Sequence, residues 1–394
     1  KEVVRAGYNF CENTDVMEAQ VEVQPAQMPK GKYRNITGNV ATAWGLLAAA
    51  EKAGLPLFLG SYPITPATDI MVELAKHKSL GARVFQAEDE IAGICSAIGA
   101  SFAGVMACTS TSGPGLSLKS EAIGLAVMAE LPLVIVDVQR GGPCTGLPTK
   151  TEQSDLGQAL FGRNGEAPCI VLALESMTPV ILLSDGYLGN GSQLFRIPKM
   201  ADLPKINPPF AKPNDPDYAP YNRDSETLVR QWAVPGMEGL RHRIGGLEKL
   251  SGKGSVSTDN ANHQLMVNYR KEKVERVANR IPDQKVEGDE NAELLVVGWG
   301  GTQGALRCAV QQLQAEGKSI AFTHFNYIMP LPKNTGDIMK RHKKIVVCEL
   351  NMGQFANYLR MNFEGLTFHQ YNKVQGLPFE VSELVEEFNK ILGE

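Results

Sequence analysis

The sequence predicts an α/β protein in which two regions of parallel β-sheet flank a proline-rich segment. Short apolar runs alternate with helical patterns over residues 35–200 and again over 291–394, as in successive βα units. Proline and polar residues are frequent over residues 196–235, where no such alternation is visible. A chain of 394 residues is long enough for more than one core. We therefore expect a linker or arm over 1–34, α/β domains over 35–200 and 291–394, and an arm and connector over 201–290.

The composition excludes several classes of protein. The chain is 43% hydrophobic and 21% charged, which is ordinary for a globular protein. A net charge of −4 and a pI near 6.0 give no indication of a nucleic acid or an anionic membrane as partner. No apolar run reaches the length of a transmembrane helix, and no secretory signal pattern stands at the N-terminus.

The seven cysteines are scattered along the chain without a C-x-x-C pair. This spacing argues against a disulfide framework and against a zinc or iron–sulfur site held by this chain alone. Buried thiols are typical of a reducing compartment, so we expect a cytoplasmic protein. Because the chain begins at Lys1 rather than at methionine, we also expect sequence upstream of it.

A turn with two prolines follows the first predicted strand. The apolar run 55–59 leads into Gly60–Pro66, and a helical pattern opens at Asp69. Proline fixes φ and lacks an N–H, and it restricts the residue before it, so Thr65 is expected to be extended. The turn would present the Thr65 hydroxyl at the carboxyl end of a strand, where open α/β sheets bind ligands. The alternative is that Thr65 caps the following helix.

The next strand, 82–86, leads into a helix that Glu90 heads. Glu90, Ile94 and Ile98 lie at i, i+4 and i+8 on one helix face, so an acid begins an apolar stripe. Acids are also common in a first turn because they complement the helix dipole, and this capping role stays open. The many small residues of the helix indicate close approach of another backbone or of a flat ligand.

Two further strands end in glycine-rich loops. The strand 104–109 runs into Ser110–Gly115, which fits a plain glycine turn better than a phosphate cradle, because it lacks the P-loop ending. The apolar run 131–138 is typical of a central parallel strand and is followed by Arg140. A guanidinium fixed there suits a carboxylate or phosphate ligand. The alternative partner is an acid of the same loop, Glu152 or Asp155.

Three later features are less informative. The runs 169–174 and 179–184 are too close for a parallel pair, so either they form an antiparallel pair or residues are absent between them. Asp185–Asn190 does not match the Mg-diphosphate motif of thiamine enzymes, because no glycine precedes the aspartate and the asparagine lies too near. Gly298–Gly301 before a helix is a weak signal for an anion site.

Taken together, these motifs resemble the α subunits of 2-oxoacid:ferredoxin oxidoreductases, and most of all the 2-oxoglutarate branch. The matching stretches are YPITP (62–66), AEDEIAG (87–93), TSTSGPGLSLKSEAIG (109–124), QRGGPCTGLPTKTEQ (139–153), SDGYL (184–188), GWGGTQG (298–304) and CELNMGQ (348–354). The resemblance covers the chain from about Asn35 to its end. It implies a pyrimidine-type thiamine diphosphate domain followed by a domain like the C-terminal one of transketolase. Residues 1–34 would then be the tail of a γ-type domain that some members carry ahead of α.

The resemblance also implies roles for individual residues. Glu90 would be the catalytic acid that binds the pyrimidine N1′ of thiamine diphosphate and relays protons. Thr65 and Arg140 would bind the carboxylate of the 2-oxoacid, with Thr149 a further substrate-binding candidate. Pro63 and Ile64 would contact the cofactor.

The same resemblance implies that this chain is part of a larger enzyme. A β subunit would carry Mg²⁺, the diphosphate grip and a [4Fe–4S] cluster, in an (αβ)₂ assembly. The reaction would be oxidative decarboxylation of a 2-oxoacid with coenzyme A and ferredoxin, or the reverse reductive carboxylation. Another 2-oxoacid such as pyruvate, or a non-catalytic scaffold of the same fold, are the alternatives. The chain departs from the family pattern at Cys144, where serine is usual, and at Val40, where an acid is common.

Overall fold

The computed structural model describes residues 1–14, 24–25, 27–169 and 173–393. The strands are β1 Tyr33–Thr37, β2 Leu57–Ser61, β3 Ala82–Gln86, β4 Met106–Thr111, β5 Leu133–Gln139, β6 Pro179–Asp185, β7 Ser192–Arg196, β8 Leu294–Trp299, β9 Ile320–Phe325, β10 Lys344–Glu349 and β11 His369–Asn372. The helices are α1 Glu2–Thr14, α2 Gly38–Ala53, α3 Thr68–Ala75, α4 Glu90–Phe102, α5 Gly113–Leu118, α6 Ser120–Ala129, α7 Leu156–Phe161, α8 Ala173–Ser176, α9 Gly186–Asn190, α10 Asn260–Arg276, α11 Gln303–Ala315, α12 Thr335–Lys340, α13 Gln354–Asn362 and α14 Val381–Leu392.

The first sheet is parallel, with the strand order β3-β2-β4-β5-β6 in the described part of the chain. Helices cover both of its faces, which explains why its strands are almost continuously apolar. Alternate residues of β5 point to opposite faces: Val136 and Val138 pack with α2 and α3, whereas Leu133 and Ile135 pack with α4 and α6. β1 and β7 form a separate antiparallel pair beside this sheet.

The prediction of a strand over 169–174 is wrong for the part that the structure describes. Residues 170–172 lie outside the described residues, and Ala173–Ser176 forms the short helix α8. β6 pairs in parallel with β5, from Leu133 opposite Pro179 to Gln139 opposite Asp185. The crossover between them is the long segment 140–178, which contains α7 and α8. The parallel pair therefore needs no additional residues between the two predicted runs.

The proline-rich connector forms part of the first core, although its backbone is mostly irregular. Trp232 is fully buried in the cluster formed by α2, α3 and β2, and its ring stacks on Phe210 at 4.8 Å. At the other end of the chain, residues 1–34 are not entirely irregular, because α1 forms a helix whose large apolar side chains are exposed.

A buried ionic cluster joins the connector and α10 to the first sheet. Glu130 follows α6 and is fully buried. Its carboxylate accepts hydrogen bonds from Lys273 Nζ at 2.6 Å and from Arg223 Nη1 at 2.8 Å, with Arg223 Nη2 on the other oxygen. Lys273 also donates to the main-chain oxygen of Met177 at 2.9 Å. One carboxylate thus neutralises two cations contributed by segments distant in sequence.

The second sheet is also parallel, with the order β11-β10-β8-β9. Its two faces carry separate apolar clusters, one with α11 and α14 and the other with α7, α12 and α13. Because α7 precedes β6 in the chain but packs on this sheet, the two sheets share a core. Among the described helices, none combines the length and apolar character needed to cross a membrane.

Candidate active site

The predicted site residues converge at the point where the first sheet changes direction. From β2 the chain goes to β3 on one side and then returns to β4 on the other, so a crevice opens beyond the carboxyl ends of β2 and β4. The Ser61 hydroxyl at the end of β2 donates to Ser110 O at 2.6 Å and joins these two strand ends. The loops after β2, β3 and β5 carry the candidate side chains, and the loop after β4 lies beside Glu90.

The proline turn presents Thr65 to solvent. Thr65 is exposed, and its hydroxyl makes no hydrogen bond with the residues that the structure describes. The capping alternative is wrong, because α3 begins at Thr68 behind an N-cap, Ala67, that has no side-chain bond. The turn is held instead by Asn39, whose Nδ2 donates to Pro66 O at 2.9 Å. A free hydroxyl on a fixed turn is therefore available for a ligand.

Arg140 lies against the same turn. Its Nη1 donates to Thr65 O at 2.8 Å, and the side chain is 7% exposed. The alternative that Arg140 pairs with Glu152 or Asp155 is not observed, since it forms no ion pair within the described ranges. Ser154 Oγ donates to Arg140 O at 2.8 Å and fixes the backbone of the arginine. The guanidinium is thus oriented by one main-chain oxygen, and Nε is buried without a partner.

Glu90 is the first residue of α4 and is 8% exposed. Its side chain lies over Gly115, where an added Cβ would be 2.8 Å from Glu90 Cγ and would overlap Thr111 Oγ1. The neighbouring Asp89, not Glu90, caps the helix by accepting from Ala92 N at 2.7 Å. No described residue donates a hydrogen bond to the Glu90 carboxylate. The glycine-rich turn after β4 therefore provides space for this acid.

The small residues of α4 allow the close backbone approach that the sequence predicts. A Cβ at Gly93 would lie 3.2 Å from Ser61 Cα, and a Cβ at Gly60 would lie 2.5 Å from Gly93 O. The first turn of α4 therefore packs directly on the end of β2. This packing sets the position of Glu90 relative to the Thr65 turn.

Sequence reasoning missed Lys119, which lies next to Glu90. The side chain is fully buried, and Nζ donates to Glu90 O at 2.8 Å. Burial lowers the pKa of Lys119 to about 8, against the opposing effect of the charges on Glu90 and Asp89. The sequence signal that could have indicated it is a lone lysine within the small and apolar run of α5 and α6.

A buried pair of acids lies behind the same crevice, and sequence reasoning missed it as well. The carboxyl groups of Asp137 on β5 and Asp155 are neighbours, and Asp137 is fully buried, with neither of its carboxyl oxygens hydrogen-bonded within the described residues. Burial and the neighbouring Asp155 raise the pKa of Asp137 well above its ordinary value, and burial also raises the pKa of Asp155. A Cβ at Gly113 would lie 2.6 Å from Asp155 Oδ1. Gly113, the first glycine of the turn, thus makes room for this pair.

The remaining predicted residues lie around the crevice without specific contacts to it. Pro63 and Ile64 are half-buried in the turn, and Ile64 packs on the first core. Thr149 is exposed at the end of the loop that follows Arg140 and makes no hydrogen bond within the described residues. Cys144 in that loop is exposed with φ +55°, and its Sγ lies 3.9 Å from Thr145 Oγ1. Its sulfur therefore faces a neighbouring hydroxyl rather than Arg140.

The Arg140 loop, residues 140–155, is fixed by the second sheet. Gln153 Nε2 donates to Trp299 O at 2.7 Å, and Leu350 N donates to Gln153 Oε1 at 2.8 Å. Trp299 is the last residue of β8 and Leu350 directly follows β10, at the point where the second sheet changes direction. Gly298–Gly301, the glycine run predicted as a weak anion site, contacts a carboxylate of this chain: Gly301 N donates to Asp185 Oδ2 at 2.9 Å.

Comparison with known proteins identifies the family. Residues 49–177 match the family model "Pyruvate flavodoxin/ferredoxin oxidoreductase, thiamine diP-bdg". The 2-oxoglutarate synthase subunit KorA of Methanothermobacter marburgensis is 30% identical over 381 residues, which are 91% of this chain and 98% of that protein. This chain belongs to the KorA family. The resemblance to α subunits of 2-oxoacid:ferredoxin oxidoreductases that the motifs indicated is thus confirmed.

A second KorA-family protein and a solved structure support the same family assignment. The 2-oxoglutarate oxidoreductase subunit KorA of Mycobacterium tuberculosis is 49% identical over 400 residues, covering 97% of this chain and 61% of that protein. This chain therefore spans about three fifths of that relative's length. The 2-oxoglutarate:ferredoxin oxidoreductase of Magnetococcus marinus, solved with 2-oxoglutarate, coenzyme A and succinyl-CoA, superposes with a TM-score of 0.87 at 34% identity. That match covers 99% of this chain and 71% of the other.

The predicted fold class is confirmed. Transketolase from Campylobacter jejuni is 12% identical, with a TM-score of 0.50 over 92% of this chain and 47% of that chain, and shares the fold alone. The parallel α/β architecture with a thiamine-binding domain is therefore that of the KorA family.

Proposed function

We propose that this chain is the α subunit of a thiamine diphosphate-dependent 2-oxoglutarate:ferredoxin oxidoreductase. The reaction converts 2-oxoglutarate and coenzyme A to succinyl-CoA and CO₂, and two electrons pass singly to two ferredoxins. The reverse direction is reductive carboxylation, which would fix CO₂ in a reductive tricarboxylic acid cycle. The supporting observation is the convergence of Glu90, the Thr65 turn and Arg140 at one crevice of a KorA-family chain.

The crevice fits the pyrimidine half of thiamine diphosphate. Glu90 is nearly buried, yet no described residue donates a hydrogen bond to its carboxylate, which is therefore available to a nitrogen of the cofactor ring. Gly115 leaves the space beside it open. When bound, thiamine diphosphate supplies a nucleophilic carbon for attack on the carbonyl of the oxoacid. Pro63 and Ile64 would contact the ring from the turn side.

The residues of this chain would bind the substrate and move one proton. Glu90 would share a proton with the ring nitrogen in a site from which water is largely excluded. The Arg140 guanidinium and the Thr65 hydroxyl would hold the 2-oxoacid carboxylate, because a charged planar donor and a fixed hydroxyl suit its oxygens. Thr149, exposed in the same loop, would add a contact to the substrate.

The other components of the reaction would come from a β subunit. Within the described residues, no three His, Cys, Asp or Glu side chains are grouped as a metal site requires. We infer that Mg²⁺, the diphosphate grip and the [4Fe–4S] cluster lie on β, with the active site between the subunits of an (αβ)₂ heterotetramer. The free cysteines among the described residues suit a cytoplasmic location.

The test is an assay of the chain purified with its co-expressed β subunit. Reduction of a low-potential dye is measured with coenzyme A and either 2-oxoglutarate or pyruvate. We expect coenzyme A-dependent reduction with 2-oxoglutarate, and a loss of more than about a hundredfold in Glu90→Ala, since positioned acid–base groups contribute roughly 10²–10⁴ in rate. Arg140→Lys should raise the KM for the oxoacid more than it lowers kcat.

Each alternative gives a different result. Faster turnover with pyruvate would assign the chain to another branch of the same enzyme class. Full activity of Glu90→Ala in an intact complex would make this chain a scaffold. No coenzyme A-dependent dye reduction with either acid would refute the proposed function.

A further inference from the structure

A lysine without solvent contact lies beneath the first turn of the helix that carries Glu90. Lys119 sits between α5 and α6 and is fully buried, and its Nζ lies 2.8 Å from Glu90 O. The main chain of Lys119 is fixed on both sides, since Lys119 N donates to Gly115 O at 3.0 Å and Ile123 N donates to Lys119 O at 2.9 Å. The ammonium therefore has a defined position relative to Glu90.

A cation at this place needs a compensating anion. The N-terminal end of a helix carries a partial positive charge, so an ammonium beside it is unfavourable. Burial is unfavourable as well, and it lowers the pKa of Lys119 to about 8. The acids that oppose this effect are Glu90 and the N-cap residue Asp89, and Cys95 on α4 and Glu121 on α6 are the other titratable groups nearby. Asp89 already caps the helix.

The hydrogen bond to Glu90 O is thus the direct contact between the ammonium and Glu90. We propose that Lys119 is a positioning residue for Glu90, which fixes the first turn of α4 and so holds the Glu90 side chain where it can bind the cofactor ring. This inference rests on the proposed function and adds to it a residue that touches neither cofactor nor substrate. Neutralising Lys119 would replace a charge-assisted hydrogen bond to Glu90 O by a weaker one, or remove it.

The inference predicts a pH dependence of cofactor binding. Lys119 is charged at pH 7 and loses its proton as the pH rises through about 8. Above that pH an uncharged amine donates to Glu90 O, and the hydrogen bond that fixes the first turn of α4 is weaker. The affinity for thiamine diphosphate should then fall, and a variant that is neutral at every pH should show no such change.

The test uses the complex with the co-expressed β subunit, and its readout is the dissociation constant of thiamine diphosphate measured by calorimetry at pH 7 and pH 9. Near-ultraviolet circular dichroism of the bound aminopyrimidine is recorded in parallel. The variants are Lys119→Met, Lys119→Arg and Glu90→Gln. Lys249→Met is the matched control, because Lys249 is also buried, donates to the main-chain Met128 O at 3.1 Å and has a pKa lowered to about 8.

We expect the Kd of the wild type and of Lys249→Met to rise about tenfold from pH 7 to pH 9, the change that one pKa unit of coupling gives. Lys119→Met should already be about tenfold weaker at pH 7 and should not change further. Lys119→Arg should keep its affinity at both pH values, because arginine stays charged. The circular dichroism of Lys119→Met at pH 7 should match that of the wild type at pH 9.

The outcomes separate this inference from the proposed function. No thiamine diphosphate binding by the wild type, or unchanged binding by Glu90→Gln, would refute the proposed function itself. If Glu90→Gln weakens binding while Lys119→Met matches the wild type at both pH values, only the role of Lys119 is refuted. If Lys119→Met does not fold, Lys119→Arg decides, and a rise in Kd equal to that of the wild type overturns the inference.

Discussion

Replacing Glu130 by glutamine tests whether the buried ionic cluster holds the connector on the first sheet. Glutamine keeps the Cβ and the shape of the side chain at a residue whose φ is +50°, so only the charge is lost. Lys273 and Arg223 would then be buried without a counter-charge. Burial by itself raises the pKa of Glu130, but these two cations outweigh it and hold the pKa well below its ordinary value.

The distances give the size of the expected effect. Two unit charges separated by the 2.6 Å between Lys273 Nζ and Glu130 Oε2 attract by about 6 kcal/mol at an effective dielectric constant of 20. Desolvation of the three groups offsets much of this attraction. Removing one partner of a buried pair typically costs about 3–5 kcal/mol. We therefore expect Glu130→Gln to lower the free energy of unfolding by about 3–5 kcal/mol.

Urea denaturation at pH 7 measures this free energy. Glu290→Gln is the matched control, because Glu290 also pairs at 2.6 Å, with Arg341, but both side chains are exposed. Exposed pairs contribute about 0–1 kcal/mol, so the control should change little. The pKa of Glu130 is lower in the folded state than in the unfolded state. Its contribution to stability is therefore fully present above the pKa of the unfolded state and is lost as the pH falls through the pKa of the folded state. Equal losses in the two variants would refute the argument from burial.

Two further predictions concern the turn after β4. Gly115→Ala should displace Glu90 with the fold retained, and it should weaken thiamine diphosphate binding by more than about tenfold, the change in affinity that corresponds to one pKa unit of interaction. Gly124→Ala is the control and should bind normally, because the atom nearest to its added Cβ is 3.8 Å away. Equal binding by the two variants would contradict the close contact between Gly115 and Glu90. Asp137→Asn should remove a pH dependence of stability: the raised pKa means that wild-type stability is full below the unfolded pKa and falls as the pH rises through the folded one. The test is to measure the free energy of unfolding of both proteins from pH 5 to pH 9. If the free energy of Asp137→Asn declines with pH in parallel with that of the wild type, the pair of Asp137 and Asp155 is not the source of the pH dependence.

Local features could be read from the sequence because their causes lie within a few residues. β3 has the predicted bounds 82–86, and α2 ends at Gly54, whose φ of +67° suits glycine. Thr65, Glu90 and Arg140 were found by their motifs, and the structure brings them to one crevice. The resemblance to a family supplied their expected roles.

Features that depend on distant contacts could not be predicted. Lys119 and Asp137 have no unusual neighbours in sequence, and their burial depends on how α4 and the Arg140 loop pack. The apolar run 169–174 resembles a strand, so the sequence does not predict that 140–178 is one crossover and that β6 pairs in parallel with β5. Trp232 appeared to belong to an irregular connector, although it completes the core between α2 and α3.

The side chain of Gln153 occupies the crevice in which the second sheet would otherwise accept a ligand. Because the same loop carries Arg140, the two hydrogen bonds of Gln153 to the second sheet also restrict the backbone from which the guanidinium projects. The second sheet therefore contributes to the site on the first sheet through the backbone of the Arg140 loop.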